Sequence, residues 1–238
     1  MLRLLFISKS GMWMHYLRLL TLVSVFFTSS IILASSTKVE SIFKFCGTCH
    51  GENGEGKKSL AAPAIAGLPM WYVKAQLMKF RSGGRGLHAN DEGGLRMRPM
   101  ARTLQNDVDV DAIAKYVSER EVVNPPRTLK GSPVAGESSY MVCAACHGAK
   151  ARGMQVLNAP PLANQSDWYL LTQLKHFKSG IRGSNPQLDP IGASMAPMAS
   201  TLVDEKATLN VIAYIKAFGK VNVVAKREPT WGQWLGLW

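Results

Sequence analysis

The chain has 238 residues, of which 47% are apolar and 18% are charged. This composition is typical of one or two globular domains and excludes a fibrous or disordered protein. Lysine and arginine outnumber aspartate and glutamate by 28 to 16, a net charge of +12. A basic balance fits nucleic acid, a membrane surface or acidic protein partners. Nucleic acid is disfavoured, because the sequence contains neither a basic run interleaved with aromatic residues nor a recognition motif.

The first 36 residues predict an export signal. Three basic residues precede or border an apolar run at 19–33, the segment contains no acidic residue, and small residues occupy 34–36. These features are the charged, apolar and cleavage regions of a secretory signal peptide, and we predict cleavage after Ser36. The apolar run is shorter than the roughly 20 residues that a membrane-spanning helix needs. An uncleaved membrane anchor is the alternative.

Two pentapeptides, CGTCH at 46–50 and CAACH at 143–147, contain all 4 cysteines of the chain. Such a motif favours covalent attachment of haem, because the two thiols can add to the vinyl groups while the adjacent imidazole binds the iron. A zinc ribbon is a poorer explanation, since its two halves are normally about 15 to 20 residues apart. A thioredoxin-like redox pair would not need a histidine after each motif. The cysteines therefore predict two haem c groups.

The two motifs belong to a longer duplication. Residues 46–86 match residues 143–183 at a spacing of 97, and after one inserted residue the match continues at a spacing of 98. Among the repeated pairs are the following: Pro63 and Pro160, Tyr72 and Tyr169, Gln76 and Gln173, Arg85 and Arg182, Met97 and Met195, Met100 and Met198. A unit of about 90 residues is too long for a solenoid repeat and predicts tandem domains.

Each unit is predicted to be helical. Apolar residues at spacings of three and four, together with capping residues such as Ser166 or Asp167 and the terminal Gly219, predict helices rather than strands. The predicted ranges are 37–45, 69–80, 108–117, 138–143, 166–177 and 204–218. Gly-rich and Pro-rich loops are expected between them, and the methionine pairs are expected in such loops. Paired prolines and glycines predict a linker at 123–136.

The iron ligands follow in part from the motifs. His50 and His147 are the expected ligands on one face of each haem. A thioether on the other face would complete a closed site and raise the reduction potential. The segments Met97–Met100 and Met195–Met198 each offer two methionines, and spacing alone does not choose between them. The remaining methionine of each pair would fill gaps in the core.

Four features occur once in each unit: the Cys-x-x-Cys-His motif, the Pro-x-Ile/Leu-Ala segment at 63–66 and 160–163, the Trp-Tyr helix start and the Met-x-Pro-Met segment. Through these features, residues 37 to about 220 resemble the dihaem cytochromes c4. The resemblance implies an all-α fold of two tandem class I cytochrome c domains, each wrapped around one covalent haem. The expected organisation is a signal peptide at 1–36, domains at 37–122 and 137–220 joined by the linker, and a tail at 221–238.

The same resemblance implies individual roles. Haem attachment falls to Cys46, Cys49, Cys143 and Cys146. The ligating methionine of the family lies seven residues before an apolar residue that precedes the last helix, which selects Met97 and Met195, with Met100 and Met198 as the alternatives. The carbonyls of Pro63 and Pro160 are expected to accept a hydrogen bond from the ligating imidazoles. The alternative is that both prolines only shape their loops.

The function implied is that of a periplasmic electron carrier, without substrate chemistry of its own, between a respiratory donor and a terminal oxidase or reductase. A cytochrome subunit of a dehydrogenase complex is the alternative, and a dihaem peroxidase is a weaker one. The positive charge predicts redox partners with acidic docking surfaces.

Three further features of the sequence carry predictions. The polar segment 83–94, which contains Arg85 and His88, is expected to be a loop that could contact a partner. His88 and His176 are expected to be surface or structural residues, since neither is matched by a histidine in the other unit. The tail at 221–238 holds three tryptophans close to a basic pair, which predicts peripheral membrane contact or docking to a protein, or packing back onto the second domain.

Overall fold

The computed structural model describes residues 38–219. The chain divides into two compact units, residues 1–42 and residues 43–238. Only residues 38–42 of the first unit are described, and they are helical. The predicted signal peptide and the tryptophan-rich tail lie outside the described residues.

The second unit contains two similar helical halves. The first half comprises the end of helix α1 (residues 38–50), α2 (Met70–Ser82), α3 (Glu92–Arg102) and α4 (Asp107–Ser118). The second half comprises α5 (Pro133–His147), α6 (Asp167–Lys178), α7 (Pro190–Ala193), α8 (Met195–Ser200) and α9 (Glu205–Ala217). Short 3-10 helices lie at Lys58–Leu60 and Gln155–Leu157. Residues 38–219 contain no β-strand, only two isolated bridges, so the all-α prediction is confirmed.

Several predicted boundaries differ from the structure. Helices α1 and α5 continue through the cysteine motifs to His50 and His147 instead of ending before them. Helix α5 begins at Pro133, so the last four residues of the predicted linker are helical. Ser166 precedes α6 but forms no side-chain capping hydrogen bond. The differences concern the ends of helices, and hydrophobic periodicity is least informative at helix ends.

The expectation that the methionine pairs lie in loops is wrong. Met97 and Met100 lie in α3, and Met195 and Met198 lie in α8. An aspartate caps the start of α3 and of α7: Asp91 accepts a hydrogen bond from Gly94 N at 2.9 Å, and Asp189 accepts one from Gly192 N at 2.7 Å. These caps begin helical structure in segments whose glycines and prolines had favoured loops.

Each half has a small apolar core. In the first half, α2 packs against α3 and α4 around buried residues such as Phe80, Val110 and Ile113. In the second half, α5 packs closely against α9 around Tyr140, Val211 and Ile212. A Cβ atom at Gly136 would lie 2.0 Å from the Asn210 carbonyl oxygen, so this crossing requires glycine.

The linker is fixed to the second half by a buried carboxylate. Asp167 accepts hydrogen bonds from the backbone N–H groups of Thr128 and Leu129 and from the Thr128 hydroxyl. Burial raises the pKa of Asp167, but these hydrogen bonds together lower it by more, so the net shift of the pKa is downward. Asp167 is therefore a structural anion rather than a simple helix cap.

Candidate haem sites

The two cysteine motifs occupy the C-terminal ends of α1 and α5. Cys49 and Cys146 are exposed, Cys46 and Cys143 are half-buried, and all four are free thiols. Burial raises the pKa of the Cys46 and Cys143 thiols, which keeps them protonated at neutral pH. No group of three or more His, Cys, Asp or Glu side chains within 38–219 is arranged to hold a metal ion.

Both motif histidines are buried and oriented by a proline carbonyl. His50 Nδ1 lies 2.8 Å from the Pro63 carbonyl oxygen, and His147 Nδ1 lies 2.8 Å from that of Pro160. Burial lowers the pKa of each imidazole, and the hydrogen bond opposes that shift in part. A neutral imidazole that donates from Nδ1 leaves the lone pair of Nε2 free for a metal.

The loop that carries each proline depends on glycine. Gly56 and Gly153 have φ values of +87° and +79°, and their N–H groups donate to the carbonyls of His50 and His147. A Cβ atom would lie 2.8 Å from the carbonyl carbon of Pro63 at Gly56, and 2.7 Å from that of Pro160 at Gly153. The close approach of these two backbones brings the proline carbonyl under the imidazole.

The methionines of each pair differ in exposure. Met97 and Met195 are half-buried, whereas Met100 and Met198 are each 40% exposed. This difference accords with Met97 and Met195 as the residues that face the interior of each half. Their role as iron ligands stays a prediction.

A polar cluster joins the two halves. Arg85 and Arg182 are both buried, and each donates to Gln76 and to Gln173. The shortest of these bonds are Arg85 to Gln76 Oε1 at 2.7 Å and Arg182 to Gln173 Oε1 at 2.6 Å. Arg85 is therefore buried between the halves. The predicted loop at 83–94 is observed only as far as Asp91, because Glu92–Gly94 belong to α3, and partner contact by the rest of the loop stays a prediction.

Two ion pairs flank this cluster with the same pseudo-twofold relation. Lys79 Nζ lies 2.5 Å from Asp189 Oδ1, and His176 Nδ1 lies 3.7 Å from Asp91 Oδ1. Lys79 and His176 occupy matching positions of the duplication, and so do the two aspartates. The 3.7 Å separation is too long for a hydrogen bond, so this contact is an ion pair only when His176 is protonated. The prediction of a structural role for His176 agrees with this position.

His88 is exposed and accepts a hydrogen bond from Asn90 N at 3.1 Å. Its counterpart Asn185 accepts one from Gln187 N in the same way. Both side chains thus stabilise a turn before the helix that carries the methionines.

The residues present fit a haem in each half. Free thiols, a buried imidazole with Nε2 available and a methionine-bearing helix are all supplied within one half. Between the halves, the Nε atoms of Arg85 and Arg182 are buried without a hydrogen-bond partner in the described part of the chain. Three cations meet only two carboxylates there, an excess of positive charge that suits the anionic propionates of haem.

Three polar residues make contacts that the sequence does not predict. Gln165 and Lys216 bind backbone carbonyls of the loops that follow the haem motifs, and Asp167 holds the linker. None of the three is matched by the same residue type in the first half. By contrast, Gln76, Gln173, Arg85 and Arg182 were visible as a repeated polar set, which is a usable signal for a shared buried cluster.

Comparison with known proteins agrees with this architecture. The family model for cytochrome c matches residues 36–121 and again residues 133–218. The thiosulfate dehydrogenase electron acceptor of Stutzerimonas stutzeri is 32% identical over 155 residues, which are 59% of this chain and 66% of that protein. Cytochrome c4 of Thiocapsa roseopersicina is 28% identical over 59% of this chain and 73% of its own length.

The fold of a solved relative is also similar. Reduced recombinant cytochrome c4 from Pseudomonas stutzeri has a TM-score of 0.56 at 23% identity, over 75% of this chain and 96% of that chain. The present chain belongs to the cytochrome c family, with two tandem domains in the dihaem arrangement of cytochromes c4. The predictions of this family and of two covalently bound haem c groups are thereby confirmed. That the chain is a redox protein rather than an enzyme stays a prediction.

The chain spans just under two thirds of the first relatives that it matches. Among the described residues, no helix has both the length and the apolar character needed to cross a membrane.

Proposed function

We propose that this chain is a periplasmic electron carrier that transfers electrons one at a time between a redox donor and an acceptor. The observation that carries the proposal is the repeated imidazole geometry, with His50 and His147 each 2.8 Å from a proline carbonyl oxygen. When bound, the haems supply the one-electron redox chemistry. The protein orients and buries the imidazoles, and a methionine of each half would supply a second, thioether ligand to the iron.

We assign the iron ligands as His50 with Met97 in the first half and His147 with Met195 in the second. With both axial positions filled, neither site would have a position open for substrate. This closed ligand set separates a carrier from a dihaem peroxidase, which needs an open position. An oxidised spectrum with the red-end band of methionine ligation at both haems supports the carrier. High-spin features would support the enzyme.

The polar cluster between the halves supports electron exchange within one molecule. Arg85 and Arg182 share both glutamines, so a propionate from either haem would meet the same pair of guanidinium groups. Both haems would then lie close to this cluster and therefore close to each other. The protein could hold two electrons, one in each half, or pass one electron from the half that faces the donor to the half that faces the acceptor.

Two classes of partner are compatible with this role. A terminal oxidase or reductase is one acceptor. A dehydrogenase is favoured as the donor by the relatives whose printed name is thiosulfate dehydrogenase electron acceptor. The net charge of +12 suits partners that present acidic surfaces.

The test is to mix the reduced protein with membranes of the native host and to mix the oxidised protein with a thiosulfate-oxidising extract of the same cells. We expect oxidation by the membranes, reduction by the extract, and rates that fall as ionic strength rises from low salt to about 0.15 M. Reduction without oxidation by membranes would favour the dehydrogenase-subunit alternative. Rates independent of salt would contradict acidic docking surfaces, and no reaction in either mixture would contradict the carrier.

A further inference from the structure

One hydrogen bond runs from the second half to the loop of the first half that carries Pro63. This loop, and the matching loop that carries Pro160, are called the proximal loops. Gln165 Nε2 donates to the carbonyl oxygen of Ala64 at 3.0 Å. Ala64 directly follows Pro63, whose carbonyl lies 2.8 Å from His50 Nδ1. Ala64 is 3% exposed and Gln165 is 7% exposed, so the contact is shielded from water.

Gln165 is itself held in a fixed orientation. Its Oε1 accepts from Ser166 N at 2.9 Å, which directs Nε2 towards Ala64. Its backbone carbonyl accepts from the ammonium group of Lys216 at 2.9 Å, and that ammonium group also donates to the Ala163 carbonyl at 3.1 Å. The amide is thus a preorganised donor, because both its side chain and its backbone are anchored within the second half.

The arrangement has no equivalent in the opposite direction among the matched residues. The position that matches Gln165 in the first half is Leu68, which has no amide, and Pro161 matches Ala64. The proximal loop of the second half is braced by Lys216 of that same half. The first half therefore receives this contact from its neighbour, whereas the second half holds its own loop at a different carbonyl, that of Ala163.

We propose that Gln165 is a positioning residue that sets the proximal hydrogen bond of the first haem from the second half of the chain. Its amide fixes the Pro63–Ala64 backbone, and this backbone fixes the acceptor of the His50 N–H. A hydrogen bond from the ligating imidazole to a carbonyl increases the basicity of the ring, which favours the oxidised iron. The two haems would consequently differ in potential through a contact that, among residues 38–219, is made to the first half alone.

Loss of the Gln165 donor leaves the Ala64 carbonyl buried without this partner. A buried carbonyl that loses a hydrogen-bond partner costs free energy, so the Pro63–Ala64 peptide would move. The hydrogen bond from His50 Nδ1 to the Pro63 carbonyl would then weaken. A weaker bond makes the imidazole a poorer donor of electron density to iron. The midpoint potential of the first haem should therefore rise, while that of the second should stay unchanged.

The experiment uses the full-length holoprotein and the variants Gln165→Leu and Gln165→Met. Both remove the amide donor without adding a charge, and the second also keeps the approximate length of the side chain. Gln105→Leu is the matched control, because Gln105 is exposed and lies in the first half. Midpoint potentials are measured by spectroelectrochemical titration and assigned to each half from NMR contacts of the haem methyl protons. The hyperfine-shifted resonance of the His50 Nδ1 proton is recorded in parallel.

The expected result is a positive shift of the first haem potential and a displaced His50 Nδ1 proton resonance in both Gln165 variants, with the second haem and Gln105→Leu unchanged. A first-haem potential equal to that of the unsubstituted protein would overturn the proposal. Equal shifts of both potentials would overturn it too, since they would reveal a general loss of structure. The inference rests on the proposed carrier function and ligand set. Failure of that function would appear separately, as the lack of two reversible potentials in the unsubstituted protein.

Discussion

At the scale of single residues, the chemistry of the haem sites depends on a few repeated side chains. The cysteine motifs, the prolines and the methionine pairs could all be found from sequence, because each recurs at the matching position of the duplication. Gln165 and Lys216 could not, because their partners lie 101 and 51 or more positions away and no local pattern reports such contacts. A duplication also hides residues that differ between its copies, as at Gln165 and Leu68.

The choice between Met97 and Met100 is testable at this scale. Met97→Leu should remove about half of the red-end absorbance band of the oxidised protein, because one of two methionine-ligated irons loses its sulfur. Met100→Leu is the matched control and should keep the full band. Oxidised absorption spectra at equal haem concentration provide the measurement. The opposite outcome, a band halved by Met100→Leu and intact in Met97→Leu, would reassign the ligand.

His176 predicts a dependence of stability on acid pH. Burial lowers its pKa; Asp91 opposes this shift, while Arg182, Arg85 and His88 reinforce it. A lowered pKa in the folded state means that the unfolded chain binds the proton more tightly. The contribution of His176 to stability is therefore present above the unfolded-state pKa of about 6.5 and is lost as pH falls through the folded-state pKa.

Replacement of His176 by glutamine should reduce this acid-side loss. We expect the free energy of unfolding of His176→Gln to fall less steeply below pH 7, by up to about one proton taken up per molecule. The control is Lys150→Gln, since Lys150 is exposed and is not among the groups that shift the pKa of His176. Denaturant unfolding at several pH values between 7 and 5 gives the two slopes. Parallel slopes for His176→Gln and the unsubstituted protein would contradict the assignment.

At the scale of helices and loops, periodicity located α2, α4, α6 and α9 to within two residues of their observed ends. It missed α3 and α8, because Pro99 and Pro197 favour loops when only local preference is considered. Pro99 lies inside α3, where it removes one backbone hydrogen bond of the helix. Pro197 lies in the first turn of α8, where a missing N–H costs little. Capping by Asp91 and by Asp189, the latter at the start of α7, together with tertiary packing, decides in favour of helix here.

The glycine-dependent proximal loops give a prediction for this scale. Gly153→Ala and Gly180→Ala both place an alanine at positive φ, +79° and +71° respectively. A Cβ atom at Gly153 would lie 2.6 Å from the backbone of Ala159 and of Pro161, whereas none of the described residues places an atom within 4 Å of one at Gly180. Gly180→Ala should therefore cost only backbone strain, roughly 1 kcal/mol.

Gly153→Ala should destabilise by about 1–3 kcal/mol more than Gly180→Ala, because the contact is with backbone and cannot be relieved by a side-chain rotation. It should also shift the potential of the second haem, since the Pro160 carbonyl would be displaced. Chemical unfolding and redox titration of both variants provide the comparison. Equal stability of the two variants would show that the loop accommodates a side chain at Gly153.

At the scale of the whole molecule, the duplication made two tandem haem domains predictable before any coordinates. The contact between the halves was not predictable in the same way. The Arg85–Arg182 cluster and the pairs Lys79–Asp189 and His176–Asp91 depend on how two similar folds meet, and a repeat in sequence carries no information on that. The contact explains why these polar residues are repeated, because they form the hydrogen bonds and ion pairs that join the halves.

The central claim is that each half holds one covalently attached haem with nitrogen and sulfur as its axial ligands. The most direct measurement is haem content per polypeptide, by the pyridine haemochrome spectrum of protein made in a host competent for cytochrome c maturation, together with the low-spin signature of the oxidised state. The account predicts two haems per chain and two low-spin irons. One haem per chain, or a high-spin iron in either half of the intact protein, would contradict it.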